Sequence, residues 1–479
     1  MFTFQDFQEV PQRDDALMEF VRMAIYQHKT TGGYQEAVTA QDYDRKCNTS
    51  IMRYQKTLRT ITGREVPDRW SPNHKSRRNL FNYFITQQNQ YLLGNGVTWD
   101  DPAVGDKLGE DFDTDLQELC RDALVDGVAF GFWNMDHLDV FRLTEFVPLW
   151  DEENGSLRAG IRWWQVDEQK PLRATLYEED GYTDYLWDLS KDEGGGEVLH
   201  AKRAYKQIVK SSPLDGTVIM DGENYPSFPI VPMWANPQHQ SELVGIREQI
   251  DAYDLIKNGF LNDLDTAQIY WIIRNAGGMD DVDMAKFLDR LRMLHAADVD
   301  GDTDVQAQTV EIPFSARETL LNRLERDLYR DYMALNVDDI RSGAVTATQI
   351  KAAYEPMNIK ADQYEYCVRK FLKALLNVAG MASKPSFTRS MLINTGEDVE
   401  TVLAASTALT SEYVTRKVLT LLGDGDQADE ILEQMEEEEV ARAGVGGEEA
   451  DELEDDTDTE VDDELDELDS LIDGLEDKY

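Results

Sequence analysis

The chain has 479 residues, and its 94 Asp and Glu against 47 Lys and Arg give a formal charge of −47. That length exceeds what one core serves, so two or more lobes are expected. A surface this acidic excludes a protein that grips nucleic acid through clustered Lys and Arg, and three scattered cysteines (Cys47, Cys120, Cys367) exclude a disulfide framework or zinc cluster.

Taken in chain order, MFTFQDFQEV shows neither the basic nor the apolar stretch of a secretory leader, and no leader is expected. Residues 1–100 read as mostly helical. Leu80, Phe84, Tyr91 and Leu92 fall on one helical face, and Gly94-Asn95-Gly96 stops that helix. A helix follows near Leu116 to Asp126. The chain then turns β-rich up to residue 235: VAFGFWNMD, VFRLTEFVPLW, SLRAGIRWWQV, LRATLYEED, TDYLWDL and RAYKQIV run apolar or alternate between turns such as Glu153-Asn154-Gly155 and Glu179-Asp180-Gly181.

Residues 236–268 read as one long helix opened by Asn236-Pro237, with Leu243, Ile246, Ile250, Tyr253, Phe260 and Leu264 on an apolar stripe. A small insertion, 269–313, reads strand (YWIIRNAGG), helix (DMAKFLDRLRML), strand (VQAQTVEIP). A second long helix, 314–335, starts with a Ser315–Glu318 capping box and repeats Leu320, Leu324, Leu328 and Tyr332 every four residues. A linker, 336–345, is followed by a helix opened by Thr346 and Gln349. Pro356 lies inside that helix and predicts a kink near Ala352–Pro356. Residues 397–441 read as helical with a break at Gly423 and Gly425. From Asp424 onward 27 acids face two bases, so the tail carries −25 and the body −22; past Gly444 mutual repulsion predicts disorder. Within the tail Leu453, Val461, Leu465, Leu468, Leu471, Ile472 and Leu475 form a faint pattern expected of a short amphipathic helix that docks on a scaffold or other head protein. No apolar run reaches the roughly 20 residues of a membrane span.

The sequence holds no G-x-x-x-x-G-K-[ST] loop, no H-E-x-x-H and no G-x-S-x-G elbow, so no catalytic, cofactor or metal residues are expected. Acid pairs such as Asp280-Asp281 and Asp338-Asp339 carry little meaning among 94 acids. The cations Lys75, Arg77, Arg78, Lys202, Arg203 and Lys206 are expected to pair with acids of the chain itself.

One arrangement stands out: two long helices bracketing an αβ insertion after a β-rich lobe. Two helices alone bury little, and heterologous packing of copies closes rings. PSFPIVPMWANPQHQSELVGIREQIDAYDLIKNGFLNDL, with Pro229-Ile230-Val231-Pro232, Asn236 and Ile250-Asp251-Ala252-Tyr253-Asp254, resembles the signature of portal proteins of tailed double-stranded DNA bacteriophages, of siphovirus type. NLFNYFITQQNQYLLGNGVTW, LCRDALVDGVAFGFWNMD and LTSEYVTRKVLTLLGDGDQADEILEQMEEEE resemble further parts of that family, so the likeness spans roughly residues 35–440. The resemblance implies an α+β, mainly α, portal fold. Its parts would be a wing (1–235 with 346–395), stem helices (236–268 and 314–335), a clip (269–313), a tunnel loop (336–345) and a crown (396–441), then the acidic tail 442–479. It implies a virion component forming a ring of twelve copies at a capsid vertex. DNA would pass through without sequence readout. The partners would be the terminase large subunit, the head-tail adaptor, and the major capsid and scaffolding proteins, with no cofactor.

On that basis Asn336, Val337, Asp338, Asp339, Ile340, Arg341, Ser342 and Gly343 are expected to line the channel. Leu243, Ile246, Ile250, Tyr253, Leu320, Leu324 and Leu328 are expected to pack the stem. A bore of mixed or acidic charge would keep DNA from sticking. Two alternatives stand: a monomeric acidic interaction protein or DNA mimic, and a carboxylate enzyme such as a glycosidase with Trp163-Trp164 stacking on sugar.

Overall fold

Where apolar residues recur every three or four positions, the computed structural model has helices. α1 (Phe4–Gln8), α2 (Asp14–Lys29), α3 (Gly32–Asp44) and α4 (Thr49–Arg53) lead to a short hairpin, β1 (Thr57–Arg59) and β2 (Glu65–Pro67). α5 (Leu80–Leu93), β3 (Val97–Trp99), α6 (Pro102–Leu108) and α7 (Phe112–Asp126) follow. The structure describes residues 1–59, 63–69, 71–167, 169–188, 196–211, 218–265, 269–274, 280, 282–283, 286–287, 304–309, 313–337, 347–390, 399, 402–406, 409–422, 428, 431–432 and 434–435. Residues 1–391 form one unit and 392–479 a second. In the second, α11 (Ser411–Leu422) carries an Arg416–Glu412 pair one turn apart at 3.6 Å.

In the first unit, β4 (Val128–Asn134), β5 (His137–Arg142) and β13 (Ile230–Trp234) make a three-stranded antiparallel sheet in the order β13-β4-β5. β6 (Phe146–Trp150), β7 (Leu157–Trp164), β8 (Leu172–Glu178), β9 (Gly181–Trp187) and β10 (Gly196–Arg203) make a five-stranded meander, and β11 (Lys206–Ser211) pairs with β12 (Val218–Glu223). The meander is covered on both faces. Val147, Leu149, Ile161, Leu176 and Tyr185 pack against α1 and α2 through Phe7, Phe20, Val21 and Ile25. Phe146 and Tyr177 instead join the main core with Phe130 and Phe141. VFRLTEFVPLW divides into β5 and β6 at a turn over 143–145, and GEVLHAKR, which the sequence reading passed over, supplies edge strand β10. Its exposed, largely polar residues give no apolar run to notice.

α8 (Arg247–Asp265), β14 (Ile269–Arg274), β15 (Asp304–Thr309), α9 (Phe314–Tyr332), α10 (Ala347–Ala379) and β16 (Pro385–Phe387) complete the unit. β14 pairs antiparallel with β15, the two strands expected of the insertion, and β16 pairs with β3.

Three expectations need correction. Asn236-Pro237 does not open the first long helix, which begins at Arg247. The intervening residues serve α7 instead: the Ser241 hydroxyl donates to Val125 O at 2.5 Å, and Glu242 N donates to Leu124 O at 3.0 Å. These are carbonyls that the C-terminus of α7 leaves without helical partners. Gly245, at φ +92°, breaks any helix there. The Ser315–Glu318 capping box is absent, because α9 is already helical at Phe314 with Pro313 as its uncapped N-terminal neighbour. α9 also ends at Tyr332, short of residue 335, since Met333 turns left-handed (φ 63°) and Ala334 N reaches back to Tyr329 O at 2.9 Å. α10 runs through Pro356 unbroken, and Thr346 lies outside the described residues.

Candidate functional site

The two long helices flanking the insertion are paired side by side and run antiparallel. Asp263 of α8 meets Arg317 of α9 at 2.5 Å, the Tyr253 hydroxyl lies 3.5 Å from Glu325, and Gln249 donates to Asp331. One step forward in α8 thus answers to one step back in α9. At the far end Phe260 and Phe314 meet edge to face, with centroids 5.4 Å apart.

α8 buries apolar Ile250 and Tyr253 in its first half, but from Asp254 onward the side chains it buries are polar. The buried side chains Asp254, Asn258 and Asn262 recur every four residues and face an extended stretch, residues 74–78. His74 N donates to Asn262 Oδ1 at 2.7 Å, Ser76 N to Asn258 Oδ1 at 2.7 Å, and Arg78 N to Asp254 Oδ1 at 2.9 Å. Asn258 Nδ2 donates in return to Ser76 O at 2.5 Å. The match is geometric: four helical residues rise about 6.0 Å, and two extended residues span about 6.6 Å. A polar ladder on a helix therefore reads an extended backbone as a neighbouring strand would. Burial pushes the Asp254 carboxyl up, while the Asn48 amide (2.5 Å) and the Arg78 N–H hold it down. The Arg78 side chain then crosses to Glu325, tying this stretch to α9 as well.

Two apolar side chains of α8 stand uncovered: Leu255 is 46% exposed and Leu264 43%. Of the expected stem residues, Leu243, Ile246, Ile250, Tyr253 and Leu328 lie in the subunit's own core, Leu324 is partly buried against it, and Leu320 stands 44% exposed. Pro356 sits within α10, beside Leu335 and Asn336 across a cleft of about 380 Å³.

α5 holds both flanks of the linker between α9 and α10. The Tyr332 hydroxyl donates to Gln88 at 2.6 Å, and its ring stacks on Phe84 at 4.7 Å. Gln87 brackets Leu335, accepting from its N–H at 3.1 Å and donating to its carbonyl at 3.0 Å. On the α10 side, Tyr91 donates to Asn358 at 2.5 Å and Tyr364 to Asn89 at 3.0 Å. Lys360, its side chain 16% exposed, closes the set. Its ammonium lies 2.7 Å from Glu242, donates to Tyr332 O at 3.0 Å and sits 3.2 Å from the Tyr332 ring centroid. Burial lowers the Lys360 pKa and Glu242 opposes that shift. Asn336 and Val337 belong to this anchored flank; Asp338, Asp339, Ile340, Arg341, Ser342 and Gly343 lie outside the described residues.

Sequence reasoning missed the ladder, the α5 bracket and Lys360. The fourfold spacing of Asp254, Asn258 and Asn262 was the available signal, since such residues are poor helix formers and recur on one face only for a reason. Of the basic residues expected to pair with acids, Arg78 does so with Glu325, Lys202 with Asp180 at 2.5 Å and Arg203 with Asp184 at 2.7 Å, whereas Lys75 donates to Met52 O at 2.5 Å and Lys206 covers the Tyr225 ring at 4.7 Å. Trp163 lies under Lys29 at 3.9 Å, while Trp164 is 40% exposed with the Arg162 guanidinium 5.5 Å from its ring centroid. Among the described residues no cluster of His, Cys, Asp and Glu is arranged to hold a metal ion, and no helix is long and apolar enough to cross a membrane.

Residues 34–442 match the family model described as phage portal protein, SPP1 Gp6-like. The portal protein of Clostridium phage phiCD119 is 26% identical over 378 residues, covering 70% of this chain and 79% of that one. The portal protein of Bacillus phage SPP1 is 24% identical over 405 residues, covering 75% and 76%. Among solved structures, a chain in the neck of an empty GTA particle superposes with a TM-score of 0.41 at 11% identity, covering 72% of this chain and 90% of that one.

Proposed function

Since the chain belongs to the SPP1 Gp6-like phage portal protein family, a family of structural and not enzymatic proteins, we propose that its copies close into a ring whose axis passes double-stranded DNA into and out of the capsid. The observation that carries this reading is the α8–α9 pair. It buries polar groups inward, on residues 74–78, and leaves apolar side chains such as Leu255 and Leu320 facing outward. Exposed apolar faces on paired helices call for more protein, and repetition of one heterologous contact closes a ring.

In this reading α8 and α9 are the core of the stem (236–268 and 314–335), and the β14–β15 ribbon belongs to the clip (269–313). Residues 1–235 with 346–395 are the wing, 336–345 the tunnel loop and 396–441 the crown. The ring has twelve copies, sits at one capsid vertex of the virion among major capsid and scaffolding proteins, and docks the terminase large subunit and later the head-tail adaptor through the clip. The tunnel loop lines the narrowest point. Its support is the bracket from α5 and Lys360, which fixes the chain on either side of it.

Negative-stain imaging and native mass of the purified chain test the ring. Annular particles with a central hole are the expected result. A chain that stays solitary at high concentration sinks the ring and leaves an acidic adaptor in its place.

A further inference from the structure

The α8–α9 pair presents two unpartnered faces of different character. At about 100° per residue, Glu248, Ala252, Leu255 and Gly259 of α8 fall within about 60° of one another, away from both α9 and residues 74–78. This strip is small and apolar with one acid at its upper end. A Cβ built on Gly259 meets nothing within 4 Å, so the strip has an open notch. On α9, Ala316, Leu320, Arg323, Asp327 and Arg330 fall within about 80°, opposite the side that packs on α8. Ala316, Leu320, Arg323 and Arg330 are exposed there. Within this strip Arg323 leans on Asp327 at 3.8 Å. For Arg330 no ion pair exists among the described residues, whereas Arg78, Arg317 and Arg389 all find carboxylates of the chain itself.

We infer that the α8 strip of one copy receives the α9 strip of the next, at the same register that joins the two helices within a copy. The inference rests on the ring reading. A closed ring relates its copies by rotation without rise, so residues at equal height in one subunit stay at equal height in its neighbour when the helices run along the axis. The contacts Asp263–Arg317, Tyr253–Glu325 and Gln249–Asp331 set that height scale. Carried across the boundary, it places Gly259 opposite Leu320, Ala252 opposite Asp327, and Glu248 opposite Arg330. A leucine enters the notch left by a glycine, and a carboxylate meets an exposed guanidinium. α8 and α9 then alternate around the wall, and each uncovered strip finds a complementary one. Phosphate is the rival occupant for the arginines, but it leaves the α8 strip uncovered; the second copy accounts for both faces.

The test is cross-linking of the full chain with exposed Cys47 replaced by serine. Gly259→Cys combined with Leu320→Cys, oxidised after rings are verified by imaging, is expected to give a ladder of covalent multimers. Gly259→Cys with Arg330→Cys, ten residues or about 15 Å out of register, is expected to give almost none. Glu248→Arg and Arg330→Glu are each expected to cut ring yield about tenfold, and their combination to restore it, as like charges placed face to face predict. Rings without a ladder, or an equal ladder from the displaced pair, overturn the inference and leave the ring standing. Arg330→Glu that spares ring yield but weakens binding of a short DNA duplex overturns it in favour of phosphate. Absence of rings from the parent chain removes the ring reading and this inference with it.

Discussion

Asn258→Ala isolates the ladder that holds residues 74–78 on α8. Asn258 is 2% exposed, accepts from Ser76 N and donates to Ser76 O and Asp254 O. The substitution strands the N–H and C=O of Ser76. Each buried orphan costs about 1–3 kcal/mol. Ser76 is half-exposed, so water takes up part of the loss and the low end applies, about 2–3 kcal/mol for the two groups. Alanine's better helix propensity returns about 0.5 kcal/mol. The net expectation is a loss of about 2 kcal/mol, read as a lower urea midpoint at unchanged slope. Trypsin gives an independent readout, because Lys75, Arg77 and Arg78 all lie in the released stretch; faster cleavage there is expected before the fold as a whole opens. A midpoint shift below about 0.5 kcal/mol with unchanged cleavage would show that the ladder does not hold the segment.

Asp126 is buried and accepts from Gln41 at 2.9 and 3.0 Å, and burial pushes its carboxyl up to about 7. The folded state therefore holds this proton more tightly than the unfolded state, and the group's stabilising contribution is full below about pH 4 and lost as pH rises through about 7. Asp126→Asn should raise the melting temperature at pH 8, and should remove roughly 2–3 kcal/mol of the stability the parent gains between pH 8 and pH 5; parallel pH profiles refute this. Lys360→Met leaves the Glu242 carboxylate without its ion-pair partner and should cost about 3 kcal/mol, with Lys360→Met/Glu242→Gln recovering a good part of it; a double variant no better than the single one by urea unfolding defeats the coupling. Gly127→Ala forces a side chain at φ +90° to within 2.9 Å of the Gln240 and Ser241 backbone and should cost about 2–4 kcal/mol or prevent folding; a parent-like melting temperature contradicts it.

Helices whose apolar residues face the core were readable from spacing alone. α5 buries Leu80, Phe84, Tyr91 and Leu92 as expected, and α7 ends at Asp126 where glycine follows. Strands with apolar inward faces, β4 and β6 to β9, were equally visible. Two features were not, because their causes are non-local. Residues 236–246 have a helix-like pattern, yet their backbone caps α7 more than a hundred positions earlier. The helical spacing of Leu243 and Ile246 was real, since both are buried, but burial is compatible with a stitched turn as well as with a helix. The α5 bracket joins Gln87, Gln88 and Asn89 to residues some 250 positions away, and nothing local marks glutamine as a bracket.

α8 shows why pattern and function part company in a subunit built to meet copies of itself. An amphipathic reading takes the apolar side as inward, and for a solitary globule that holds. Here the inward side of the lower helix is Asp254, Asn258 and Asn262, each satisfied by backbone, while Leu255 and Leu264 face out. The same separation of whole from part applies to charge. A net −47 led to the expectation of an acidic or mixed bore, but the tail beyond Asp424 holds −25 of it, and many acids of the first unit are spent on internal arginines. The outward face of α9 bears Arg323, Arg326 and Arg330, all exposed. At short range it is the local sign that a neighbour or a passing phosphate meets, because screening over about 8–10 Å hides the tail's charge from distant surfaces. The charge of the channel wall therefore follows from which helix face turns toward the axis, and the pairing of helix faces between copies decides that.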